Sequence, residues 1–384
     1  MNRKSDPKNL WSPEAELNRP MLVQGMKQTT AAAALRTMRI RLPNQDTTTA
    51  RSAKDGRVSL SSFAWFTLAY NVAVVLWGAY VRATGSGAGC GSHWPLCNGE
   101  FLPVTSRAQT LIEFTHRATS GLSLALVVTL LIWSWRRTAR GEWPRYTAVA
   151  AAVLLFSEAL LGATLVVFEH VGVDRSASRA VFLSLHFGNT LLLVAALTLT
   201  AKWLSHSPHR FASSATAFER AVIAIGLFCV VATGMTGSLA ALGDAIFPRV
   251  NLKNALVQEF SSNSHVLLRL RTLHPVVAAV AFLYVLWMVR KLSKNRERPS
   301  GILPFLTATL LAQVALGVLN VLLLAPVWLQ LTHLLVAEMV WILLVLASAD
   351  LSFSDKTFRP SSPRLSRAVA NRLRTPPQVK ISTT

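Results

Sequence analysis

Negative charge is scarce in this sequence. Its 384 residues hold 18 Asp and Glu against 39 Lys and Arg, a formal net charge of +21. Charged residues of both signs make up only 15% of the chain, against 52% hydrophobic. With a mean hydropathy of +0.39, so little charge argues for a chain embedded in a membrane. Cysteine is scarce as well. Three residues allow one pair, Cys90 and Cys97, and leave Cys229 alone in an apolar run, where it reads as a packing residue. The first sixty residues have no apolar core, so no signal peptide is expected there. Asp6, Glu14, Glu16, Asp46 and Asp55 in the same tail also speak against a mitochondrial transit peptide, a type poor in acid. Met21, Met26 and Met38 are alternative starts.

What the chain does have is long apolar runs. A bilayer needs about 20 residues per helix, and stretches near 62–82, 110–134, 146–168, 179–201, 219–240, 266–290, 302–325 and 327–349 meet that length. They predict an all-α integral membrane protein of eight transmembrane helices. The last two are divided only by Pro326, so a tight turn is expected there. Basic residues collect in the tail 1–58, after the second span (Arg136, Arg137, Arg140, Arg145), after the sixth (Arg290, Lys291, Lys294, Arg296, Arg298) and in the tail 351–384. By the positive-inside rule both termini are cytoplasmic, in a cell inner (plasma) membrane, and the loop 83–108 lies outside. The tail 1–58 reads as disordered or as bound to anionic membrane lipid. A nucleic-acid partner would also suit a basic chain, but these charges gather at membrane boundaries, and none is expected.

Four of the nine histidines carry the strongest signal. His116, His186, His274 and His333 each lie a few residues inside the same end of an even-numbered span. Even-numbered spans run in one direction, so the four rings share a depth, roughly 9–14 Å below the outer boundary at 1.5 Å per residue. Histidine is expensive inside a membrane and marks a pathway or a cofactor. Core histidines hydrogen-bonded across helices are the plain alternative. Four at matched depth point instead to two bis-histidine pairs, the arrangement that clamps haem iron between facing helices. His93, His170, His206, His209 and His265 fall in loops or at span edges and read as rim residues.

The two halves of the chain repeat one another. Span 1 ends in Gly78 through Gly85-Ser-Gly87, and span 5 in Thr233-Gly-Met-Thr-Gly237-Ser. Span 3 carries Leu161-Gly162 and span 7 Leu316-Gly317; span 2 has Glu113-Phe-Thr-His116 and span 6 Arg271-Thr-Leu-His274. Spans 4 and 8 complete the register with His186 and His333. Small residues recur in any helix bundle, but four matches in order, each in phase with a histidine, predict two pseudo-symmetric four-helix bundles, 59–205 and 206–350.

The repeat is broken at one informative place. Glu113 lies three residues before His116, on the same helix face, and either pairs with Arg117 at i,i+4 or acts as an acid or base beside whatever His116 binds. The second half has Arg271 there, which does no proton chemistry at ordinary pH. The first bundle is thus expected to react and the second to hold a fixed redox cofactor. Arg82, Arg117 and Arg271, like Arg269 near the outer ends, are candidates to pair with haem propionates or to anchor the interface. Cys90 and Cys97 flank a short outer loop, where an oxidising compartment permits a disulfide. Whether that bond is a structural staple or a redox-active pair is open at this stage.

These residues together resemble the haem A synthase family, the Cox15/CtaA proteins, over roughly residues 60–350. The carriers are Gly78 through Gly87, Trp94-Pro95-Leu96-Cys97-Asn98-Gly99, Glu113-Phe-Thr-His116-Arg117, Leu185-His186-Phe-Gly-Asn189-Thr, Thr233 through Ser238, Leu273-His274-Pro275 and Thr332-His333. The Cys90/Cys97 spacing is similar to that of the bacterial subgroup with paired cysteines in this loop. The resemblance implies oxidation of the C8 methyl of haem O to a formyl group, giving haem A for cytochrome oxidase. It implies haem O as substrate at His116 and His186 with Glu113 as the essential carboxylate, haem b as cofactor on His274 and His333, and a haem O synthase upstream. A di-haem b membrane cytochrome or a haem transporter are the competing readings; the first does not need Glu113, and fixed bis-histidine ligation hinders the alternating access of the second. No residue pattern names the electron donor, the source of the inserted oxygen or the oligomeric state, a homo-oligomer included.

Overall fold

The computed structural model describes residues 59–104, 107–205, 212–213, 215–249, 264–294 and 301–354, with residues 251, 253, 257, 259 and 261 between them. The tail 1–58, most of the tail 351–384, and His206 and His209 lie outside the described residues. Among the described residues, eight helices are long and apolar enough to cross a membrane. They are α1 (Leu60–Ala83), α2 (Ala108–Arg137), α3 (Trp143–Val167), α4 (Ala177–Ser205), α5 (Ala217–Ile246), α6 (Val266–Ser293), α7 (Ile302–Leu322) and α8 (Val327–Ser352).

Helix ends are set by local chemistry more than by hydropathy. The Ser59 hydroxyl accepts the Ser62 N–H at 3.0 Å and starts α1. Thr216 and Glu219 form a capping box at the start of α5, each side chain taking the other residue's backbone N–H. The imidazole of His265 caps α6 by accepting the Leu267 N–H at 3.2 Å. Helix α5 runs to Ile246, past the expected 240, while α7 stops at Leu322, before the expected 325. The reason for the second difference lies in Leu324 and Ala325, both left-handed at φ 61° and 54°. The Ala325 N–H turns back to Asn320 O at 2.7 Å, closing α7 before Pro326, ahead of which an α conformation is disfavoured.

Helices α1–α4 pack as one closed ring, each against the next and α4 against α1, and α5–α8 repeat the arrangement. The two bundles meet through α1 and α4 on one side and α5 and α8 on the other. Trp341 on α8 donates its indole N–H to Leu191 O on α4 at 2.7 Å, and Lys202 on α4 pairs with Asp350 on α8. One small departure from an all-helical chain is an antiparallel pair of two-residue strands, β1 (Ala212–Ser213) and β2 (Phe353–Ser354).

The main apolar core gathers where the basic loops are. It includes Leu68 and Val72 of α1, Val127 and Leu130 of α2, Leu197 of α4, Met288 of α6, Leu306 of α7 and Leu344 of α8. A second, smaller cluster of Ala180, Leu242 and Leu267 sits toward the opposite end. His186 on α4 and His274 on α6 fall between the two clusters along their helices, and all four in-phase histidines are half-buried.

Candidate functional site

Each of the four histidines lies on a glycine of the helix before it. A methyl group built on Gly78 would stand 2.9 Å from His116 Cε1, and on Gly237 3.1 Å from His274 Cε1. On Gly317 it would stand 3.3 Å from His333 Cε1, and on Gly162 3.6 Å from His186 Cε1. Glycine at these positions lets an imidazole lie directly against the neighbouring backbone. The sequence repeat is therefore a repeat of one contact, helix glycine under helix histidine, made twice per bundle. His116 and His186 stand on α2 and α4 of the first bundle, and His274 and His333 on α6 and α8 of the second.

Around the first pair, α2 and the outer loop are bound into one unit. Cys90 and Cys97 are joined by a disulfide and are buried, at 0% and 2% exposure. Burial shields the bond from solution thiols and favours the staple of the two roles open for it. The loop lies on the first turns of α2. The Thr110 hydroxyl donates to Gly89 O at 2.8 Å, and a side chain on Gly89 would run into Gln109 O at 2.5 Å. Glu113, 3% exposed, accepts the Cys90 N–H on Oε2 at 2.8 Å. Its Oε1 takes Nε of Arg117 at 3.1 Å and Nη2 at 2.5 Å. The other terminal nitrogen of Arg117 donates to His93 O and Leu96 O, each at 2.5 Å. The i,i+4 pair expected of Glu113 and Arg117 is formed, and every nitrogen of Arg117 has a protein partner.

The corresponding place in the second bundle is built differently. Arg271, 3% exposed, has Nη1 2.9 Å from Asp244 Oδ1 and Nε 2.7 Å from Glu259 Oε1. Arg249 reaches the same two acids at 3.4 and 3.5 Å. Nη2 of Arg271 is buried without a hydrogen-bond partner among the described residues, as is Nη1 of Arg82. Arg82 stands where the bundles meet, with Nη2 3.5 Å from Gln330 Oε1 on α8.

Several polar residues escaped the sequence reading. Glu158 on α3 approaches His186 Nδ1 at 3.4 Å. Gln313 on α7 has its amide nitrogen 3.2 Å from His333 Nε2, and the Thr236 hydroxyl lies 3.3 Å from His274 Nδ1. The repeat held the signal, since Glu158 and Gln313 each stand four residues before the glycine under a histidine, Gly162 and Gly317. Glu338, wholly buried on α8, has no hydrogen-bond partner for either oxygen among the described residues. Of the rim histidines, His170 pairs with Asp174 at 3.0 Å and His265 caps α6.

The arrangement suits haem. Among the described residues no group of three or more His, Cys, Asp or Glu is placed to hold a bare metal ion. Two histidines per bundle are the axial set required when a macrocycle supplies the other ligands. Nδ1 of His116, His186 and His333 is buried without a hydrogen-bond partner among the described residues. The free nitrogens of Arg82 and Arg271 are donors of the kind that propionates accept.

Comparison with known proteins agrees. Residues 61–345 match the COX15-CtaA family, described as Cytochrome oxidase assembly protein. A Protoheme IX farnesyltransferase from Thermus thermophilus is 43% identical over 268 residues, 68% of this chain and 43% of that protein. A Heme A synthase from Alkalihalophilus pseudofirmus is 41% identical over 126 residues, 33% of this chain and 40% of that protein. One from Bacillus cereus is 30% identical over 261 residues, 65% of this chain and 79% of that protein. The chain thus spans less than half the length of the first two relatives. With its family match covering all eight helices, the chain belongs to the COX15-CtaA family of cytochrome oxidase assembly proteins.

Proposed function

We propose that this protein is a haem A synthase, which oxidises the C8 methyl of haem O to a formyl group to give haem A for cytochrome oxidase. The observation that carries the reading is the asymmetry between two like bundles. Each presents a histidine pair on glycines, but only the first has a carboxylate, Glu113, one turn from a histidine, and the second has Arg271 in its place. In this reading the bundle 59–205 takes haem O as substrate on His116 and His186. The bundle 206–350 holds haem b on His274 and His333, and haem b when bound supplies one-electron transfer.

The protein's own groups do the rest. The histidines orient the macrocycle, and Arg82 and Arg271 offer free N–H groups to propionates. Glu113 takes a proton from the methyl carbon's hydroxylated or hydrated form, directly or through water. Arg117 and the Cys90 N–H fix the Glu113 carboxylate on the loop side of α2.

The basic residues beside the spans support an orientation with both termini cytoplasmic and the protein in a cell's inner membrane. A haem O synthase is the fitting upstream partner. The Thermus thermophilus relative named for farnesyl transfer to protohaem IX leaves more than half its length unmatched, room for a second domain. The test is co-expression with a source of haem O, followed by pigment extraction. A formyl haem with its red-shifted pyridine haemochrome is the expected product; haem O and haem B alone contradict the reading.

A further inference from the structure

A histidine that binds iron through one ring nitrogen donates its other N–H to an acceptor, and the charge of that acceptor tunes the iron. The two bundles differ at this nitrogen. In the first, Glu158 Oε1 stands 3.4 Å from His186 Nδ1, a charge contact rather than a formed hydrogen bond. The carboxylate is held there from α4. The Thr190 hydroxyl donates to Oε1 and the Asn189 amide to Oε2 at 2.6 Å. Asn189 is itself fixed, donating to Leu154 O at 2.8 Å and accepting from the Ser157 hydroxyl at 2.7 Å.

The second bundle keeps the register and loses the charge. Gln313 takes the place of Glu158, and Val336 and Ala337 take the places of Asn189 and Thr190, three and four residues after the histidine. The Gln313 amide faces His333 Nε2, and His333 Nδ1 has no hydrogen-bond partner among the described residues. The acceptors at His274 in this pair are neutral: the Thr236 hydroxyl at Nδ1, whose own proton goes to Ala232 O or Thr233 O at 3.1 and 3.0 Å, and the Thr233 backbone.

The geometry points to Glu158 as a positioning residue that sets an anionic partner against His186 and so lowers the reduction potential of the haem in the first bundle. A fixed negative charge this close favours the ferric over the ferrous state. This inference rests on the proposal that His186 is an iron ligand. It goes beyond that proposal by giving the two bundles unequal iron environments through Glu158 and Gln313.

The experiment is a redox titration of the purified, haem-loaded full chain, followed by absorbance and by low-spin ferric EPR. Glu158→Gln keeps the side chain's length and the bond accepted from Asn189, while the Thr190 hydroxyl must turn to accept from the new amide and donate to His186 O instead. It is expected to raise the midpoint potential of the first-bundle haem and move its EPR signal, with the second-bundle haem unmoved. Asn189→Ala, which only loosens Glu158, is expected to move both in the same direction and by less, and serves if Glu158→Gln does not fold. His186→Ala separates the two claims. If it leaves the first-bundle haem spectrum intact, the ligand assignment falls and this inference with it. If it strips that haem while Glu158→Gln changes thermal stability but neither potential nor EPR, Glu158 is a tie between α3 and α4 and only this inference is overturned.

Discussion

Glu113 accepts the backbone N–H of Cys90 at 2.8 Å, so the carboxylate one turn from His116 is held by the disulfide-closed loop above it. The loop, Arg117 and Glu113 form a single hydrogen-bonded assembly on α2. Glu113 is therefore a structural partner as well as the candidate catalytic base.

Arg117→Ala removes the partner of a carboxylate that is 4% exposed and frees His93 O and Leu96 O. Breaking a buried pair from one side costs about 3–5 kcal/mol, and Arg117, itself 13% exposed, should fall at the lower end of that range. The expected result is a lower thermal midpoint in detergent, with Arg117→Lys partly restoring it. An unchanged midpoint in Arg117→Ala would show that the assembly contributes nothing to stability.

The disulfide closes a loop with a sequence separation of 7. Loop-closure entropy for so short a ring gives a stabilisation of about 2.5 kcal/mol. Replacing Cys90 and Cys97 together by alanine should lower the thermal midpoint by that order while leaving haem in the second bundle. If loss of the bond instead abolishes turnover without any change in stability, the pair is redox-active and the staple reading fails.

The glycines under the histidines supply a graded series. An added methyl comes to 2.9 Å of a ring atom at Gly78, 3.1 Å at Gly237, 3.3 Å at Gly317 and 3.6 Å at Gly162. Overpacking costs typically 1–3 kcal/mol where neighbours cannot yield. Haem content in the four Gly→Ala variants should therefore fall most for Gly78 and least for Gly162. Measuring haem per protein by pyridine haemochrome checks this, and an order unrelated to the distances removes the glycine contact from the account.

The span count and the phase of the four histidines were legible in the sequence because both follow from one-dimensional patterns, apolar run length and repeat register. The pair of Glu113 and Arg117 was legible because i,i+4 spacing places both on one helix face. Helix ends were less so. Leu324 and Ala325 adopt a left-handed turn that neither residue type advertises, so α7 ended early. Glu158 was not singled out, since its role depends on His186, Asn189 and Thr190 on another helix. The burial that favours a staple for Cys90 and Cys97 is likewise tertiary, arising from the docking of Gly89 on Gln109 and Thr110.

The central claim is that the Glu113 carboxylate acts on haem O in the first bundle. Glu113→Ala leaves Arg117 buried without its acid, so its stability loss would confuse the result. Glu113→Gln keeps size and one accepting oxygen, gives up the bond taken either from the Cys90 N–H or from Arg117, and removes the proton function. The decisive measurement is the ratio of haem A to haem O extracted from Glu113→Gln and unaltered protein, each co-expressed with a haem O source at equal haem b content. The account predicts haem A in the unaltered protein and haem O without haem A in the variant. Near-equal haem A in both would contradict it.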